Sequence, residues 1–323
     1  MKKVCIVGYG AIGPIHASAV EKCAGAEVYA VCDINSERLE AGAKRHGAIA
    51  YSNFDDALRD ENIDVIHICT PHYLHLSMIR AALAAGKEVV CEKPITMTAS
   101  EFDALLATEG SERVCVVFQN RLNPCVEALK KMAESGELGK IITAKGIVTW
   151  CRTEEYYKND SWRGKWATEG GGVLINQSIH TLDLLGYVVG DIKSVKATMS
   201  NFSLDSIEVE DTVAMHISFE GGQRGIFFAT NAYGTHSSVE LEVVFKRGRA
   251  RYSDGKLWVD GECIAIDDTP TIGKMYWGRG HELLISDYYD KDKFFSVRDA
   301  ENTMRAAFAA YQSAREQSRE VQV

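Results

Sequence analysis

The stretch that decides the fold is VCIVGYGAIG at residues 4–13, an apolar strand pattern followed directly by Gly-x-Gly-x-x-Gly. Glycines in this pattern let the backbone approach a pyrophosphate, whose charge the following helix N-terminus stabilises. The next apolar run, 27–32, ends in Asp33, where a dinucleotide fold places the carboxylate that binds the ribose hydroxyls. We therefore predict a dinucleotide site that includes Gly8, Gly10, Ala11, Ile12, Gly13 and Asp33.

Asp33 also bears on the choice between NAD and NADP. A 2′-phosphate about 4 Å from a carboxylate costs about 1 to 4 kcal/mol, depending on how well solvent screens the two charges. No arginine immediately follows Asp33, and the nearest one is Arg38. We therefore predict NAD as the cofactor and expect NADP to be disfavoured.

Apolar runs alternate with helical patterns through the first third of the chain. Strand-like runs at 65–69, 89–91 and 114–118 are separated by helical segments, which predicts a doubly wound parallel sheet of the Rossmann type. The carboxyl ends of parallel strands meet at one edge, where ligands bind. We expect the polar residues that follow these strands to line one crevice, namely Thr70, Pro71, His75, Glu92, Lys93, Gln119 and Arg121.

Lys93 is the candidate catalytic group at this edge. It follows the run 89–91 and Glu92, and Pro94 prevents the strand from continuing. A lysine there can hydrogen-bond a substrate oxygen, and its pKa can fall if the site excludes water. Taken alone, these residues favour a surface Glu–Lys pair that ends a strand, and only the rest of the chain favours the catalytic interpretation.

From residue 141 the period changes to the alternation of half-buried strands. The runs are 141–150, 191–200, 211–219, 223–232 and 239–246, and Gly-Gly or Asp-Gly pairs at 221–222, 254–255 and 260–261 indicate hairpin turns. We therefore predict two domains: a dinucleotide-binding Rossmann domain at 1–121 and an α+β domain at 122–323 with a large, mostly antiparallel open sheet. An open sheet of this length leaves one face in need of a partner, which favours a homo-oligomer.

One helical pattern interrupts these strands. Three glycines at 170–172 precede a segment in which Asn176, His180 and Asp183 recur at i, i+4 and i+7, so they would form one polar stripe on an α-helix. A histidine between an amide and a carboxylate resembles an acid/base group, although a core histidine capped by Asp183 is an equal alternative. The glycines favour the first interpretation because a close approach to a backbone or ligand needs them.

Composition excludes several classes of protein. The chain has 323 residues, of which 46% are hydrophobic and 25% charged, and a formal net charge of −9 that argues against nucleic acid or anionic membranes as partners. Its nine cysteines contain no C-x-x-C pair, so we predict buried thiols in a reducing cytoplasm and no metal site. The first strand begins near Lys3 and no apolar run approaches membrane-helix length, so we predict neither a signal peptide nor a membrane segment.

Together these motifs resemble the family of glucose–fructose oxidoreductase and inositol 2-dehydrogenase, NAD(P)-dependent enzymes that act on sugars, cyclitols and sugar derivatives. The resemblance implies an active site between two domains, with Lys93 beside the nicotinamide and His180 facing the substrate. It also implies dimers or tetramers built on the second sheet, and a cofactor contact from Trp162 and Arg163. The motifs occur in family order at 8–13, Asp33, Thr70-Pro71 with His75, Glu92-Lys93-Pro94, 170–172 and His180.

Asn176 departs from the family pattern, since many members carry aspartate there. An amide cannot join a proton relay, so we expect Asn176 to hydrogen-bond a substrate hydroxyl while His180 and Lys93 carry the acid/base chemistry. Members with asparagine at this position include some that act on nucleotide-linked sugars. The expected substrate contacts are Lys93, Arg121, Tyr156, Asn176 and His180.

The resulting prediction is reversible, NAD-dependent oxidation of a ring secondary alcohol of a sugar, cyclitol or sugar derivative. Two alternatives stay open. The first is a glycoside-cleaving enzyme that oxidises its sugar transiently and returns the hydride. The second is a nucleotide-binding sensor without catalytic activity.

Overall fold

The computed structural model describes residues 1–159, 161–268 and 278–323. Their contacts divide the chain into two compact units. The first comprises Met1–Gln119 with Arg279–Ala300, and the second Asn120–Gly278 with Glu301–Val323. The first unit is therefore discontinuous in sequence. The assignment of dinucleotide binding to 1–121, and of substrate binding and oligomerisation to 122–323, stays a prediction.

The first unit is built, within the described residues, on a six-stranded sheet of order β3-β2-β1-β4-β5-β6 whose neighbouring strands are all parallel. This confirms the predicted parallel sheet. Strands β1 to β6 are Lys2–Val7, Ala26–Cys32, Ile49–Tyr51, Val65–Ile68, Glu88–Cys91 and Val114–Val116. Helices α1 to α5 are Gly13–Val20, Ser36–His46, Phe54–Arg59, His75–Ala84 and Ala99–Leu106. Short 3₁₀ turns are His72–Leu74, Ser111–Arg113 and Gln119–Leu122.

The central strands of this sheet are mostly buried. All four residues of β4 are inaccessible to solvent, as are Val89, Val90 and Cys91 of β5. Parallel strands covered on both faces are continuous apolar runs because neither face contacts water. For the same reason the sequence shows these strands as uninterrupted runs without alternation.

The second unit contains, in the part of the chain described, a nine-stranded sheet of order β14-β13-β12-β11-β7-β10-β9-β8-β15. Strands β7 and β10 pair in parallel and the other described neighbours pair antiparallel, which confirms the predicted mostly antiparallel sheet. Strands β7 to β15 are Ile141–Thr149, Ile192–Ser200, Thr212–Phe219, Arg224–Thr230, Glu240–Phe245, Gly248–Ser253, Lys256–Val259, Glu262–Ile266 and Val321–Gln322. Helices α6 to α9 are Pro124–Ser135, Glu154–Lys158, Trp166–Glu169 and Ile179–Val189, and a π-helical turn spans Val173–Gln177.

The predicted Asp-Gly hairpin turns are confirmed. Asp254 and Gly255 join β12 to β13 with φ of 51° and 65°, and Asp260 and Gly261 join β13 to β14 with φ of 49° and 95°. Two-residue hairpins of this kind need positive φ at both positions, and Asp followed by Gly tolerates it best. These turns fix the register of the strands at the β14 edge of the sheet.

Two late helices complete the units. Helix α10, Gly280–Lys291, packs against α1 in the first unit. Helix α11, Val297–Arg315, begins in the first unit and continues in the second. No helix among the described residues is both long and apolar enough to cross a lipid bilayer.

Candidate active site

The glycine-rich turn joins β1 to α1, and two of its glycines are required by the fold itself. A Cβ on Gly8, which has φ of 87°, would lie 2.7 Å from the Cys69 carbonyl oxygen, and one on Gly13 would lie 2.4 Å from the Gly8 carbonyl oxygen. Gly10 differs, because among the described atoms its Cβ would meet only Arg38 Nη1, at 3.7 Å. The backbone at Gly10 can therefore be approached closely by a ligand, as a pyrophosphate site needs.

Asp33 follows β2 and is bonded to the same turn. Its Oδ2 accepts a hydrogen bond from the Tyr9 amide at 2.7 Å, and its Oδ1 accepts one from the Asn35 amide at 2.8 Å. A carboxylate can accept about four hydrogen bonds, so Asp33 keeps capacity for ribose hydroxyls. The residues of the turn fit a dinucleotide.

His75 connects the segment after β4 to the segment after β5. It is fully buried; Nδ1 lies 2.8 Å from the Pro94 carbonyl oxygen and Nε2 lies 2.9 Å from the Thr70 carbonyl oxygen. Burial lowers the pKa of His75, although both hydrogen bonds oppose that shift. Both described hydrogen bonds of His75 are to backbone carbonyls, so it orders the polypeptide around Lys93. Its predicted contact with the cofactor stays a prediction.

Glu92 is buried between two histidines. Its Oε1 lies 3.1 Å from Nε2 of His16 and 3.3 Å from Nε2 of His281. Burial raises the pKa of the Glu92 carboxyl, but the hydrogen bonds from these histidines outweigh burial and hold it well below its usual range. Nδ1 of His16 lies within hydrogen-bond distance of Nδ1 of His67, at 3.0 Å. Nε2 of His67 in turn lies 2.7 Å from the Tyr289 hydroxyl. Sequence reasoning missed this chain of side chains.

The same cluster contains the described residues that could hold a metal ion. One ligand atom each from His16, Glu92 and His281 lies within 4.8 Å of the other two. The hydrogen bonds among these groups satisfy the buried carboxylate without an ion. We therefore interpret the cluster as a charged core beneath the turn that carries Lys93.

The predicted residues of the first unit come together at one edge of its sheet. Residues 8–13, Thr70-Pro71, Glu92-Lys93 and Gln119 follow β1, β4, β5 and β6, which are consecutive neighbours in the sheet. Lys93 is partly buried, and its amide lies 3.3 Å from Glu92 Oε2. These segments therefore share one sheet edge, while their predicted binding of cofactor and substrate stays a prediction.

In the second unit, the glycines before residue 173 are packed against a glutamate and a tyrosine. A Cβ on Gly172 would lie 1.9 Å from the Glu210 carbonyl oxygen, and one on Gly171 would lie 2.0 Å from the Tyr311 hydroxyl. The Glu210 carboxylate accepts hydrogen bonds from the amides of Gly172 at 2.9 Å and Leu174 at 3.0 Å, and from the Tyr311 hydroxyl at 2.9 Å. The close approach indicated by the glycines is thus made by groups of this unit.

The predicted continuous α-helix after these glycines is wrong. Residues Val173–Gln177 form a π-helical turn, closed by a 2.9 Å hydrogen bond from the Ser178 amide to the Val173 carbonyl, and α9 starts only at Ile179. The Ser178 hydroxyl also bonds the Val173 carbonyl, at 2.7 Å, which stabilises the wider turn. Asn176 and His180 therefore belong to different helical segments, and α-helical spacing alone does not establish that they share one face.

Asp183 is paired with Arg121. Arg121 donates from Nε to Oδ2 at 2.8 Å and from Nη2 to Oδ1 at 2.6 Å, and the Thr303 hydroxyl donates to Oδ1 at 2.7 Å. Both charged side chains are buried, where bidentate geometry is needed to offset desolvation. Asp183 thus anchors α9 to the segment before α6. The substrate contact predicted for Arg121 stays a prediction.

Asn176 contacts a carboxylate that sequence reasoning missed. Its Nδ2 donates a hydrogen bond to Glu169 Oε1, and the Gly164 amide donates to Glu169 Oε2 at 2.5 Å. Glu169 is inaccessible to solvent, and His180 at the start of α9 is 7% exposed. The sequence signal was an acidic residue directly before the three glycines.

Tyr156, Trp162 and Arg163 come together in this unit. Arg163 Nη1 donates to the Tyr156 hydroxyl at 2.7 Å, and the guanidinium lies 4.7 Å from the Tyr156 ring centroid and 4.4 Å from that of Trp162. Gln177 Nε2 reaches the same hydroxyl at 3.4 Å. These residues form an aromatic and cationic cluster next to the π-helical turn. Their predicted contacts with cofactor and substrate stay predictions.

Glu210 makes the stability of the protein depend on pH. Burial raises the pKa of the Glu210 carboxyl from 4.5 to about 7, while hydrogen bonds from Leu174 and Gly172 oppose the shift. Between these values the unfolded chain ionises and the folded chain stays protonated. The contribution of Glu210 to stability is therefore complete below pH 4.5 and is lost as pH rises through 7. We expect the free energy of unfolding to fall by roughly 3 kcal/mol between about pH 5 and 8 from this group.

Urea unfolding at both pH values measures this component. Glu210→Gln should remove it, whereas the exposed Glu262→Gln should leave the wild-type pH dependence intact. Equal pH dependence in wild type and Glu210→Gln would show that Glu210 is ionised throughout this range.

A parallel sheet with a glycine-rich turn after β1 and an acidic residue after β2 defines the first unit as an NAD-binding Rossmann domain. Residues 2–120 match the family described as "Oxidoreductase family, NAD-binding Rossmann fold", and residues 126–251 match "GFO/IDH/MocA C-terminal domain". The chain therefore belongs to the Gfo/Idh/MocA family of NAD-dependent oxidoreductases, which includes sugar and polyol dehydrogenases.

Similar proteins carry names consistent with this family. The uncharacterized oxidoreductase YrbE of Bacillus subtilis is 29% identical over 246 residues, 73% of this chain and 70% of that protein. Levoglucosan dehydrogenase of Pseudarthrobacter phenanthrenivorans is 28% identical over 239 residues, 66% of this chain and 61% of that protein. The WlbA dehydrogenase of Bordetella pertussis, solved with NADH and UDP-GlcNAcA, superimposes with a TM-score of 0.89 at 27% identity, over 100% of this chain and 97% of that one.

Proposed function

We propose that the protein oxidises and reduces a ring secondary alcohol of a sugar, cyclitol or sugar derivative, with His180 and Lys93 as the acid/base pair. The observation that carries this proposal is the position of Lys93. It follows β5 at the same sheet edge as the glycine-rich turn, in a domain that binds NAD. The names of relatives, which include levoglucosan dehydrogenase and inositol 2-dehydrogenase, support a carbohydrate or cyclitol substrate.

Each residue has a distinct part in the proposed reaction. NAD supplies the hydride acceptor. His180 removes the hydroxyl proton as general base, while the Lys93 ammonium stabilises the developing alkoxide. Asn176 positions a substrate hydroxyl by hydrogen bonding, because an amide does not exchange a proton at neutral pH. In the reverse direction His180 returns the proton as general acid.

The test is nicotinamide absorbance after the purified protein is mixed with NAD and a panel of free sugars, inositols, glycosides and nucleotide sugars, together with product analysis. NADH formation with one class of polyol would support the proposal and name that class. Glycoside cleavage without net NADH would overturn it in favour of transient oxidation. Tight NAD binding without turnover of any compound would favour a sensor.

We also propose a cytoplasmic homodimer or homotetramer assembled through the second sheet. Helices α6 and α9 pack against this sheet. On β10 the side chain of Ile226, which is 49% exposed, pairs in register with Lys145 of β7. An exposed apolar side chain in a long sheet favours burial against another copy. Sedimentation at the mass of a single chain would overturn this proposal.

A further inference from the structure

The contact between Glu169 and Asn176 decides which end of the Asn176 amide points away from it. Asn176 Nδ2 donates a hydrogen bond to Glu169 Oε1, so the amide nitrogen of Asn176 faces Glu169. The carbonyl oxygen of Asn176 then faces away from Glu169. Amide orientation is often ambiguous because nitrogen and oxygen are similar in size, but a neighbouring carboxylate removes that ambiguity.

Glu169 is itself held rigidly. Its second oxygen accepts the Gly164 amide at 2.5 Å, and its own amide bonds the Lys165 carbonyl at 2.9 Å. Gly164 has φ of 75°, and a Cβ there would lie 2.7 Å from Ile207 Cγ2, so the loop that carries this donor needs glycine. A buried carboxylate is costly unless its oxygens are hydrogen-bonded, and here both of them are. Neither oxygen can turn away from its donor without loss.

We propose that Glu169 is a positioning residue that fixes Asn176 with its carbonyl oxygen directed to the substrate, so that the site accepts a hydrogen bond from a substrate hydroxyl. This inference rests on the function proposed above. Glu169 touches neither the reacting atoms nor the cofactor in this scheme. It acts by preventing the flipped orientation of the Asn176 amide, in which the amide nitrogen would face the substrate as a hydrogen-bond donor.

The pair also constrains the residue at position 176. An aspartate there would place a second carboxylate against buried Glu169, and two carboxylates in contact cannot both stay ionised. One would take up a proton, and the site would become dependent on pH. Combining Glu169→Gln with Asn176→Asp would reverse the roles, because the introduced glutamine would donate its N–H and the introduced aspartate would accept it.

The test compares Glu169→Gln, Asn176→Asp and the double variant by steady-state kinetics from about pH 6 to 9, with the substrate identified in the panel. Glu169→Gln should raise KM about tenfold with little change in kcat, since one orienting hydrogen bond is lost. Asn176→Asp should lower kcat/KM about a hundredfold at about pH 9 and recover towards about pH 6. The double variant should regain kcat/KM to within about tenfold of wild type and lose that added pH dependence.

Glu208→Gln is the matched control. Glu208 is an exposed carboxylate of the same unit that accepts from the Trp166 amide at 3.2 Å, and its replacement should leave KM unchanged. Far-UV circular dichroism verifies that each variant is folded. Should Glu169→Gln fail to fold, the comparison of Asn176→Asp with the double variant still tests the pair.

Two outcomes would overturn the inference. One is a KM within about twofold of wild type for Glu169→Gln; the other is a double variant no better than Asn176→Asp. A wild-type protein that turns over no compound in the panel would count against the proposed function instead. In that case the pair is tested by pH-dependent unfolding, where Asn176→Asp should lose stability at high pH and the double variant should recover it.

Discussion

His180→Ala is expected to lower kcat by about 10²–10⁴-fold, because positioned general acid/base groups contribute about that factor. The affinity for NAD should stay unchanged, since His180 is predicted to face the substrate and is not among the predicted cofactor contacts. Stopped-flow measurement of NADH formation separates the chemical step from product release. Fluorescence titration with NADH measures the affinity for the cofactor.

Glu208→Gln again serves as the control for this variant. Glu208 is an exposed residue of the same unit, and its replacement should leave kcat and KM unchanged. Lys93→Ala should resemble His180→Ala if the two residues act on the same hydroxyl group. Near-full turnover in His180→Ala, together with an inactive Lys93→Ala, would show that His180 is not the acid/base group.

Gly172→Ala is expected to destabilise the protein by about 3 kcal/mol or more, because overpacking against backbone forces the structure to move. The added Cβ would lie 1.9 Å from the Glu210 carbonyl oxygen. That carbonyl accepts the Val173 amide at 3.0 Å, and the Glu210 side chain bonds the Gly172 amide, so the segment at Glu210 cannot move away without breaking both contacts. Urea unfolding at about pH 6 measures the loss.

Gly186→Ala gives the control within the same region. Gly186 lies in α9, and among the described atoms its Cβ would meet only Asn302 Oδ1, at 3.7 Å. Alanine is favoured over glycine in a helix by about 1 kcal/mol, so this variant should be as stable as wild type or slightly more so. A Gly172→Ala protein as stable as Gly186→Ala would mean that the segment around Glu210 relaxes freely.

The sequence was sufficient to predict the two sheets because the periodicity of strands is local. Continuous apolar runs predicted β4 and β5, alternation predicted β7 to β11, and Asp-Gly pairs predicted two hairpins. Each of these signals depends on neighbouring residues, and the structure confirms them. The π-helical turn was missed because the spacing of Asn176 and His180 was interpreted with regular α-helical geometry, and the widened turn depends on Ser178 and Glu210.

The partners of the candidate site were harder to predict. Glu92 pairs with His16 and His281, which lie 76 and 189 residues away in sequence. Periodicity shows which residues share a face, but it does not show which distant side chains meet. Asp183 could be placed on a helix from its spacing, whereas its bond to Arg121, 62 residues earlier, could not be predicted.

The discontinuity of the first unit has a consequence for synthesis on the ribosome. Its sheet and helix α1 are made early, but helix α10 is made near the end. The same holds for the segment at Phe295, whose carbonyl accepts a hydrogen bond from the Val116 amide of β6. Until then the Glu92 carboxylate lacks His281, one of its two histidine partners. The nascent NAD-binding domain therefore stays incomplete while strands β7 to β14 of the second sheet are translated, and it reaches its final form only after about residue 300 has left the exit tunnel.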